Sequence, residues 1–430
     1  MTRHGAAVPR GLDAAPGGRF GRLVELDPCP SGPDEIEALV KLLDDKKGVP
    51  QSDIPAGFTY LGQFIDHDIT FDPTPFGAAQ RDPDALVNFR TPRLDLDSVY
   101  GLGPDVQPYL YDRDAPGKLL LSLSGKPVLD LQRNAQDRAV IGDPRNDENA
   151  IVSQLHLLFA RFHNRLVDEL GTFAEARRVL LRHYHWIVLH EYLPKVLGAP
   201  FTGPRVHFTF TGDPFIPVEF SGAAFRFGHS MVRRDYGLRP REEKVDPPEL
   251  FPGLDGSQAL TSEREIFWGR FFPGLGDDHP QTSGKIDTQL SEALFTLPKG
   301  EPVLARRTLR RGVKLGLPSG QDLAEALGAP QLDEADLHLE KVADQQTREA
   351  LAAATPLWYW ILCEAEKAGG ETLGELGRTI VGEVLLGLIE TDPSSYLVEE
   401  PDWEPGVLGG RKGEFPMASF VRFARGEEPL

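Results

Sequence analysis

Apolar positions at helical spacing dominate the middle and the C-terminal half of the chain. Between residues 146 and 170, apolar side chains recur every three or four positions, which predicts a long amphipathic helix. A similar pattern runs over residues 173–193 and ends near Pro194. Further helices are predicted at residues 33–44, 222–232, 289–295, 320–327, 337–354, 356–368 and 372–388.

Little of the chain has the pattern of a β-strand. Short β-prone segments occur at residues 206–210 and 217–220, and prolines at 73, 75, 83, 92, 104, 108, 116 and 127 break regular structure between 72 and 130. The sequence therefore predicts a mainly α fold in one large domain, residues 34–398, with long loops. A loose Gly- and Pro-rich arm, residues 1–33, precedes this domain, and a Gly- and Pro-rich tail, residues 399–430, follows it.

Composition narrows the class of protein. The chain has 430 residues, of which 40% are hydrophobic and 26% charged, as in folded proteins, and its net charge of -19 opposes nonspecific binding to nucleic acid or anionic membranes. Cys29 and Cys363 are too few for a disulfide framework. No secretory signal and no apolar run of membrane-spanning length is apparent, so we expect a cytoplasmic protein without a membrane span. Its oligomeric state stays open.

The most informative segment is a polar cluster inside an apolar stretch, GQFIDHDIT at residues 62–70. In a helix, Gln63 and His67 lie one turn apart on the same face, Asp66 lies beside them and Asp68 points elsewhere. A polar cluster in apolar surroundings costs free energy unless it has a partner. This segment is therefore predicted to bind a ligand.

Two other segments could carry chemistry. In GDPRNDE, residues 142–148, Arg145 stands at the start of the long helix and Glu148 follows three residues later. In FRFGHSM, residues 225–231, His229 lies within an aromatic run. A single histidine on an apolar face is most often a structural residue, so neither segment decides the function alone.

Five motifs in order resemble a known family. They are GQFIDHD (62–68), TPRLDLDSVYG (91–101), GDPRNDEN (142–149) followed by HLLFARFHNRL (156–166), FRFGH (225–229) and RRTLRRGVKLGLPSG (306–320). From about residue 35 to about 390 the chain resembles the animal-type haem peroxidases of the peroxidase–cyclooxygenase superfamily, in a short bacterial-style form. The resemblance implies a helical fold that encloses haem, with residues 34–398 as the haem peroxidase domain.

The resemblance also implies roles for the site residues. His67 takes the distal position, as the acid–base group that moves a proton between the two peroxide oxygens. Arg145 stabilises the developing negative charge, and Gln63 hydrogen-bonds distal water or halide. His229 is the proximal ligand of the haem iron, and Arg226 pairs with a haem propionate.

Two carboxylates match positions that form ester bonds to haem in mammalian members of the family. These are Asp66 and Glu148, so the expected cofactor is haem b, either ester-linked through them or only hydrogen-bonded by them. Asn149 stands where the most strongly oxidising member has a methionine, so a sulfonium link is excluded.

A calcium site is predicted beside the distal histidine. Alternate positions of an extended loop present oxygen ligands from Thr91, Arg93 (through its carbonyl), Asp95 and Asp97, and Asp68 lies next to His67. Such an ion would connect the distal helix to the loop. The alternative is an acidic turn that is only solvated.

Two positions affect the type of reaction. The family's proximal histidine usually donates to an asparagine, where this chain has Thr308, a weaker acceptor. The superfamily's fatty-acid oxygenases have tyrosine three residues before the proximal histidine, where this chain has Arg226. Tyr184-His185-Trp186 superficially resembles the oxygenase motif, but we interpret it as helix packing. The remaining histidines, among them His156 and His163, show no ligand-like partners.

The expected function is reduction of hydrogen peroxide coupled to oxidation of small aromatic donors or halide. Two alternatives remain open from the sequence. One is a haem-dependent fatty-acid dioxygenase, and the other is a haem-binding protein with little turnover.

Overall fold

The computed structural model describes residues 18–44, 48–72, 87–122, 128–202, 205–210, 212–277, 279–298, 300–406 and 411–429. Parts of the predicted arm (1–17) and tail (407–410 and 430), and the prolines at 73, 75, 83 and 127, lie outside these residues.

Helices make up 46% of the structure and strands 9%. The α-helices are α1 (Pro33–Leu43), α2 (Gly57–Ile69), α3 (Asp97–Tyr100), α4 (Ala150–Leu170), α5 (Phe173–Ile187), α6 (Leu193–Leu197), α7 (Val218–Gly222), α8 (Leu304–Lys314), α9 (Gly320–Leu327), α10 (Gln345–Ala353), α11 (Leu357–Lys367), α12 (Glu375–Glu390), α13 (Tyr396–Glu399) and α14 (Met417–Ala424). A π-helical turn, Val188–Tyr192, joins α5 to α6. Short 3₁₀ helices lie at Pro108–Leu110, Pro144–Asp147, Ala224–His229, Arg241–Glu243, Trp268–Arg270, Glu292–Phe295, Glu334–Leu337 and Leu339–Lys341.

The strands are short and form three small sheets. They are β1 (Gly18–Gly21), β2 (Gln51–Pro55), β3 (Val87–Asn88), β4 (Leu121–Ser122), β5 (Asp130–Leu131), β6 (Phe215–Pro217) and β7 (Thr282–Gly284). β1 lies between β3, antiparallel, and β6, parallel, with Phe20 opposite Ile216. β2 pairs with β7, and β4 with β5.

The long helix α4 lies at the centre of the core. The Asn149 side chain caps its N-terminus by accepting from the N–H groups of Ile151 and Val152, and it ends at Gly171, whose φ of 86° suits glycine. Helices α2, α5 and α14 pack on α4. Phe64 of α2 stacks on Phe159 at 4.3 Å between ring centroids, which fixes the helix bearing His67 against the core.

The predicted mainly α class is confirmed. Helices predicted at residues 33–44, 320–327, 356–368 and 372–388 correspond to α1, α9, α11 and α12, and 146–170 and 173–193 correspond to α4 and α5 with its π-helical turn. The described end of the predicted arm contains β1, and the described part of the tail contains α14, neither of which the pattern predicted.

Several predicted elements are wrong in type or extent. The strand at 206–210 is irregular, because the Glu383 carboxylate accepts from the N–H groups of His207 and Phe208 at 2.7 and 2.8 Å and leaves no strand partner for them. The strand at 217–220 is wrong beyond Pro217, where α7 begins. The helices at 222–232 and 289–295 are only short 3₁₀ turns, and 337–354 divides into two 3₁₀ turns and α10.

Candidate active site

A cavity of about 720 Å³ brings the predicted haem-site residues together. Residues of α2, the turn Pro144–Asp147, the turn Ala224–His229 and α8 line it. The predicted residues in its wall are Gln63, Asp66, His67, Arg145, Glu148, Arg226, His229 and Thr308. Both histidines therefore face one cavity although 162 positions separate them in the sequence.

His67 is held by a side-chain hydrogen bond behind the cavity. Its Nδ1 lies 2.8 Å from Oδ1 of Asn146, and both residues are buried. Its Nε2 lies 3.8 Å from Oε1 of Glu148, which is beyond hydrogen-bonding distance. Burial and then the Arg145 charge lower the pKa of His67, so the imidazole is neutral near pH 7 and suits a general base.

Arg145 is fixed by an acidic partner and by the end of α2. Its Nε and Nη2 donate to the carboxylate of Asp143 at 3.1 and 2.8 Å, and Nη2 also donates to the carbonyl oxygens of His67 and Thr70. Arg90 donates to the same carboxylate at 2.9 Å. Burial raises the pKa of Asp143, but the two arginines outweigh it and bring the pKa to about 2. The cation is thereby held beside His67.

The other distal groups contact one another. Gln63 donates through Nε2 to Glu148 and accepts through Oε1 from Nδ2 of Asn149 at 3.3 Å. Across the cavity wall, Asp66 lies 3.8 Å from Nη2 of Arg226. Burial favours the neutral acid, but Arg226 and Arg145 lower the pKa of Asp66 below its ordinary value. Asp66 and Glu148 both line the cavity, where a bound ligand would contact them.

The proximal side has a weak partner for His229. Oγ1 of Thr308 lies 3.5 Å from Nδ1 of His229 and donates its own proton to the carbonyl of Leu304 at 3.1 Å. The hydroxyl can therefore only accept from the imidazole, at a long distance. Burial and then Arg226 lower the pKa of His229 to about 3, so its ring is neutral and able to bind a metal.

Two arginines that the sequence analysis did not single out also line the cavity. Arg307 and Arg311 lie one residue before and three residues after Thr308 on α8. Their spacing within the last family motif was the available signal, because positions i and i+4 share a helix face. Asn146, also missed, follows Arg145 directly. With Arg226, the cavity wall carries these three arginines, of which Arg311 pairs with Asp72 at 3.3 Å.

The residues present fit a haem group. An iron porphyrin needs an apolar slot, a neutral imidazole for the metal and cations for two carboxylates. The cavity offers aromatic walls that include Phe58 and Phe225, the neutral imidazole of His229, and three arginines. His67 and Arg145 supply acid–base and electrostatic groups in the same space.

The predicted cation ligands form a separate cluster. Carboxylate oxygens of Asp68, Asp95 and Asp97 lie within 4.8 Å of one another. Burial and mutual repulsion raise the pKa of Asp68 well above its ordinary value and that of Asp97 to about 7. Thr91 donates its hydroxyl to Asp95 at 2.8 Å, whereas the Arg93 side chain pairs with Asp392 at 3.2 Å.

The segment Tyr184-His185-Trp186 lies in α5 and packs, as expected. Tyr184 is fully buried and contacts Phe159 edge-to-face at 5.5 Å between centroids. Nε2 of His185 donates to the carbonyl of Leu94 at 2.7 Å. These contacts are those of structural residues.

Comparisons with known proteins bear on the family of this chain. Residues 74–392 match the animal haem peroxidase family. The chain is 29% identical over 255 residues to chorion peroxidase of Drosophila melanogaster and 28% identical over 299 residues to human thyroid peroxidase, covering 53% and 58% of this chain. It spans only 31% of the length of each of these two relatives.

Solved structures share the fold at low sequence identity. Peroxidase A from Dictyostelium discoideum has a TM-score of 0.67 at 19% identity over 89% of both chains. The Oryza sativa fatty acid alpha-dioxygenase has a TM-score of 0.64 at 16% identity, over 88% of this chain and 76% of that one. None of the helices in the described residues is both long and apolar enough to cross a membrane. The match over residues 74–392 shows that this chain belongs to the animal haem peroxidase family.

Proposed function

We propose that this protein is a haem peroxidase that reduces hydrogen peroxide and oxidises small aromatic donors or halide. One observation carries the proposal: His67, Arg145 and His229 line a single cavity large enough for haem. Family membership supports haem as the cofactor. When bound, haem b supplies the redox-active iron for which His229 is the ligand.

The chain's own residues then handle the proton and the charge. Nε2 of neutral His67 takes the proton from the inner peroxide oxygen and returns it to the outer oxygen as the O–O bond breaks. Arg145 stabilises negative charge on the peroxide and on the departing oxygen. Gln63 would hydrogen-bond distal water or halide, and Arg226, Arg307 and Arg311, which line the cavity, would pair with the haem carboxylates.

The direct test is peroxide-dependent oxidation of a phenolic dye by the purified, haem-loaded protein. We expect His67→Ala to lower the second-order rate with peroxide by roughly 10²–10⁴-fold, the contribution of a positioned acid–base group. His279→Ala, at an exposed histidine, is the matched control and should keep the wild-type rate. Equal rates in wild type and His67→Ala would exclude the distal role.

A dioxygenase remains the second candidate, because fatty acid alpha-dioxygenases share the fold. The residue at position 226 opposes this function, because an arginine offers no phenol for a radical. Arg226 instead donates to the carbonyl of Ser221 at 2.8 Å. Oxygen uptake with a fatty acid and no added peroxide would favour the dioxygenase. A haem-binding role with little turnover predicts instead a Soret band that peroxide leaves unchanged.

Covalent attachment through Asp66 and Glu148 is part of the proposal. Both carboxylates line the cavity, where they can reach a ligand's edge. After turnover with peroxide, ester-linked haem should remain with the polypeptide in acidified organic solvent. Asp66→Asn with Glu148→Gln should release it. Complete extraction from the wild-type protein would show that the carboxylates only hydrogen-bond.

We also propose that Asp68, Asp95 and Asp97 bind Ca²⁺, with Thr91 and the Arg93 carbonyl as further ligands. Asp68 is buried, and Asp95 and Asp97 are half-buried. Three carboxylates this close repel one another, and a divalent cation removes that repulsion. Ca²⁺ at about 100 times its Kd should stabilise the fold by about 2.7 kcal/mol, seen as a higher Tm.

Asp97→Ala should abolish this increase in Tm, whereas Asp105→Ala, at an exposed acid outside the cluster, should retain it. If neither Ca²⁺ nor a chelator changes the Tm of the wild-type protein, the cluster is an acidic turn that is only solvated.

A further inference from the structure

The distal histidine is the first of three buried polar side chains that hydrogen bonds connect in a row. Nδ1 of His67 lies 2.8 Å from Oδ1 of Asn146, and Nδ2 of Asn146 lies 3.1 Å from Nδ1 of His156. The three side chains are at most 4% exposed. His67 belongs to α2 and His156 to α4, so the amide of Asn146 bridges the two helices that carry them.

The chemistry of the amide fixes the direction of each hydrogen bond. A carbonyl oxygen only accepts, so Nδ1 of His67 carries a proton and donates to Oδ1. An amide nitrogen only donates, so Nδ1 of His156 accepts from Nδ2. The proton of His67 is thereby on Nδ1, which leaves the lone pair of Nε2 toward the cavity.

The opposite amide orientation would reverse this arrangement. Nδ2 of Asn146 would then donate to His67, which would carry its proton on Nε2 and could not accept one from peroxide. His156 opposes that orientation as long as its Nδ1 is an acceptor. Burial lowers the pKa of His156 to about 3, so the ring is neutral at pH 7 and one of its two nitrogens is an acceptor. With the proton of His156 on Nε2, that acceptor is Nδ1.

We propose that His156 is a positioning residue, which acts through Asn146 to fix the tautomer of His67 that can accept a proton. The inference rests on the proposed distal role of His67 and adds a group that does not touch the substrate. Removal of such an outer partner typically costs 10–100-fold in activity.

The test compares three variants of the haem-loaded protein. His156→Leu removes the acceptor at similar size, and His156→Gln supplies a carbonyl oxygen that can accept from Asn146. His163→Leu is the matched control, because His163 is a fully buried histidine on the same helix that bonds to Tyr100 and the Gly117 carbonyl instead.

Two measurements are made on each variant: the second-order rate with hydrogen peroxide, and the protonation of the His67 nitrogens by ¹⁵N NMR in the diamagnetic ferrous carbonyl form. We expect wild type to carry the proton on Nδ1. In His156→Leu a second tautomer should appear and the rate should fall about tenfold or more, with substantial recovery in His156→Gln and little change in His163→Leu.

Several outcomes would overturn the proposal. A wild-type His67 with its proton on Nε2 does so directly, and this result decides the matter even if His156→Leu fails to fold. A wild-type tautomer and rate in His156→Leu, or equal losses in His156→Leu and His163→Leu, also do so. The proposed function fails separately, if His67→Ala reacts with peroxide as fast as wild type.

Discussion

The 3.5 Å separation between Thr308 and His229 sets the electronic character of the proximal site. An imidazole that donates a strong hydrogen bond gains imidazolate character, which stabilises the oxidised metal. Here the acceptor is a hydroxyl at a long distance, and its own proton is directed to Leu304. With so weak a hydrogen bond, the His229 imidazole gains little imidazolate character. We therefore expect the haem reduction potential to be high for this family.

Thr308→Asn should lower that potential. An amide oxygen reaches further than a hydroxyl and accepts more strongly, and a gain of about 1 kcal/mol in favour of the oxidised state corresponds to roughly 40 mV. Thr308→Val, of equal size without a hydroxyl, should raise the potential by less than this. Spectroelectrochemical titration of the purified haem protein measures both shifts, and an unchanged potential in Thr308→Asn would contradict the argument.

Eight residues of the cavity wall could be named from the sequence because they lie in the motifs or beside them. His67, Arg145 and His229 lie in three short segments with characteristic neighbours, and the structure brings them to one cavity. The contacts that hold these side chains in place could not be predicted from the motifs. Asn146 meets His67 across 79 positions of sequence, and only the packing of α2 against the turn Pro144–Asp147 makes them partners.

At the level of elements, prediction succeeded where the apolar stripe was wide and the helix ends were marked. α4 satisfies both conditions, with Asn149 at its start and Gly171 at its end. α8 was missed because its sequence, LARRTLRRGVK, buries only Ala305, Thr308 and Leu309. Its basic face lies toward the cavity and acidic partners rather than the core, so hydrophobic periodicity carried little signal.

The helix α14 in the predicted tail should contribute substantially to stability. Phe420 stacks on Phe162 at 4.4 Å between centroids and contacts Phe159 at 4.6 Å, so its ring is part of the main core. We expect Phe420→Ala to lower the free energy of unfolding by about 3–5 kcal/mol. Arg422→Ala, on the partly exposed side of the same helix, should cost less than about 1 kcal/mol. Denaturant titration of both variants measures the difference, and similar small losses would mean that α14 contributes little.

For the molecule as a whole, buried neutral histidines should make the fold sensitive to acid. Burial lowers the pKa of both His163 and His183 to about 4. The unfolded chain binds these protons near pH 6.5, so it holds more protons than the folded chain between pH 6.5 and 4. Stability present above pH 6.5 is therefore lost as pH falls through this window, by up to about 1.4 kcal/mol per pH unit for each histidine.

His183→Phe isolates this contribution. The ring of His183 packs against Phe415 and Trp403, so phenylalanine keeps an aromatic ring there while removing the titrating group. Free energies of unfolding from denaturant titration at pH 7 and pH 5 should differ less in this variant than in wild type. The same pH dependence in both proteins would refute the assignment to His183.

The three-stranded sheet has a consequence for synthesis of the chain. Phe20 in β1 lies opposite Ile216 in β6, and the N–H of Leu23 donates to Glu219 at 3.1 Å. A ribosome adding about 5–20 residues per second needs roughly 10–40 seconds to make the intervening polypeptide. During that interval the early strand has no native neighbour on that edge. A nascent chain stalled before β6 should therefore retain this segment in a form that chaperones and proteases can reach.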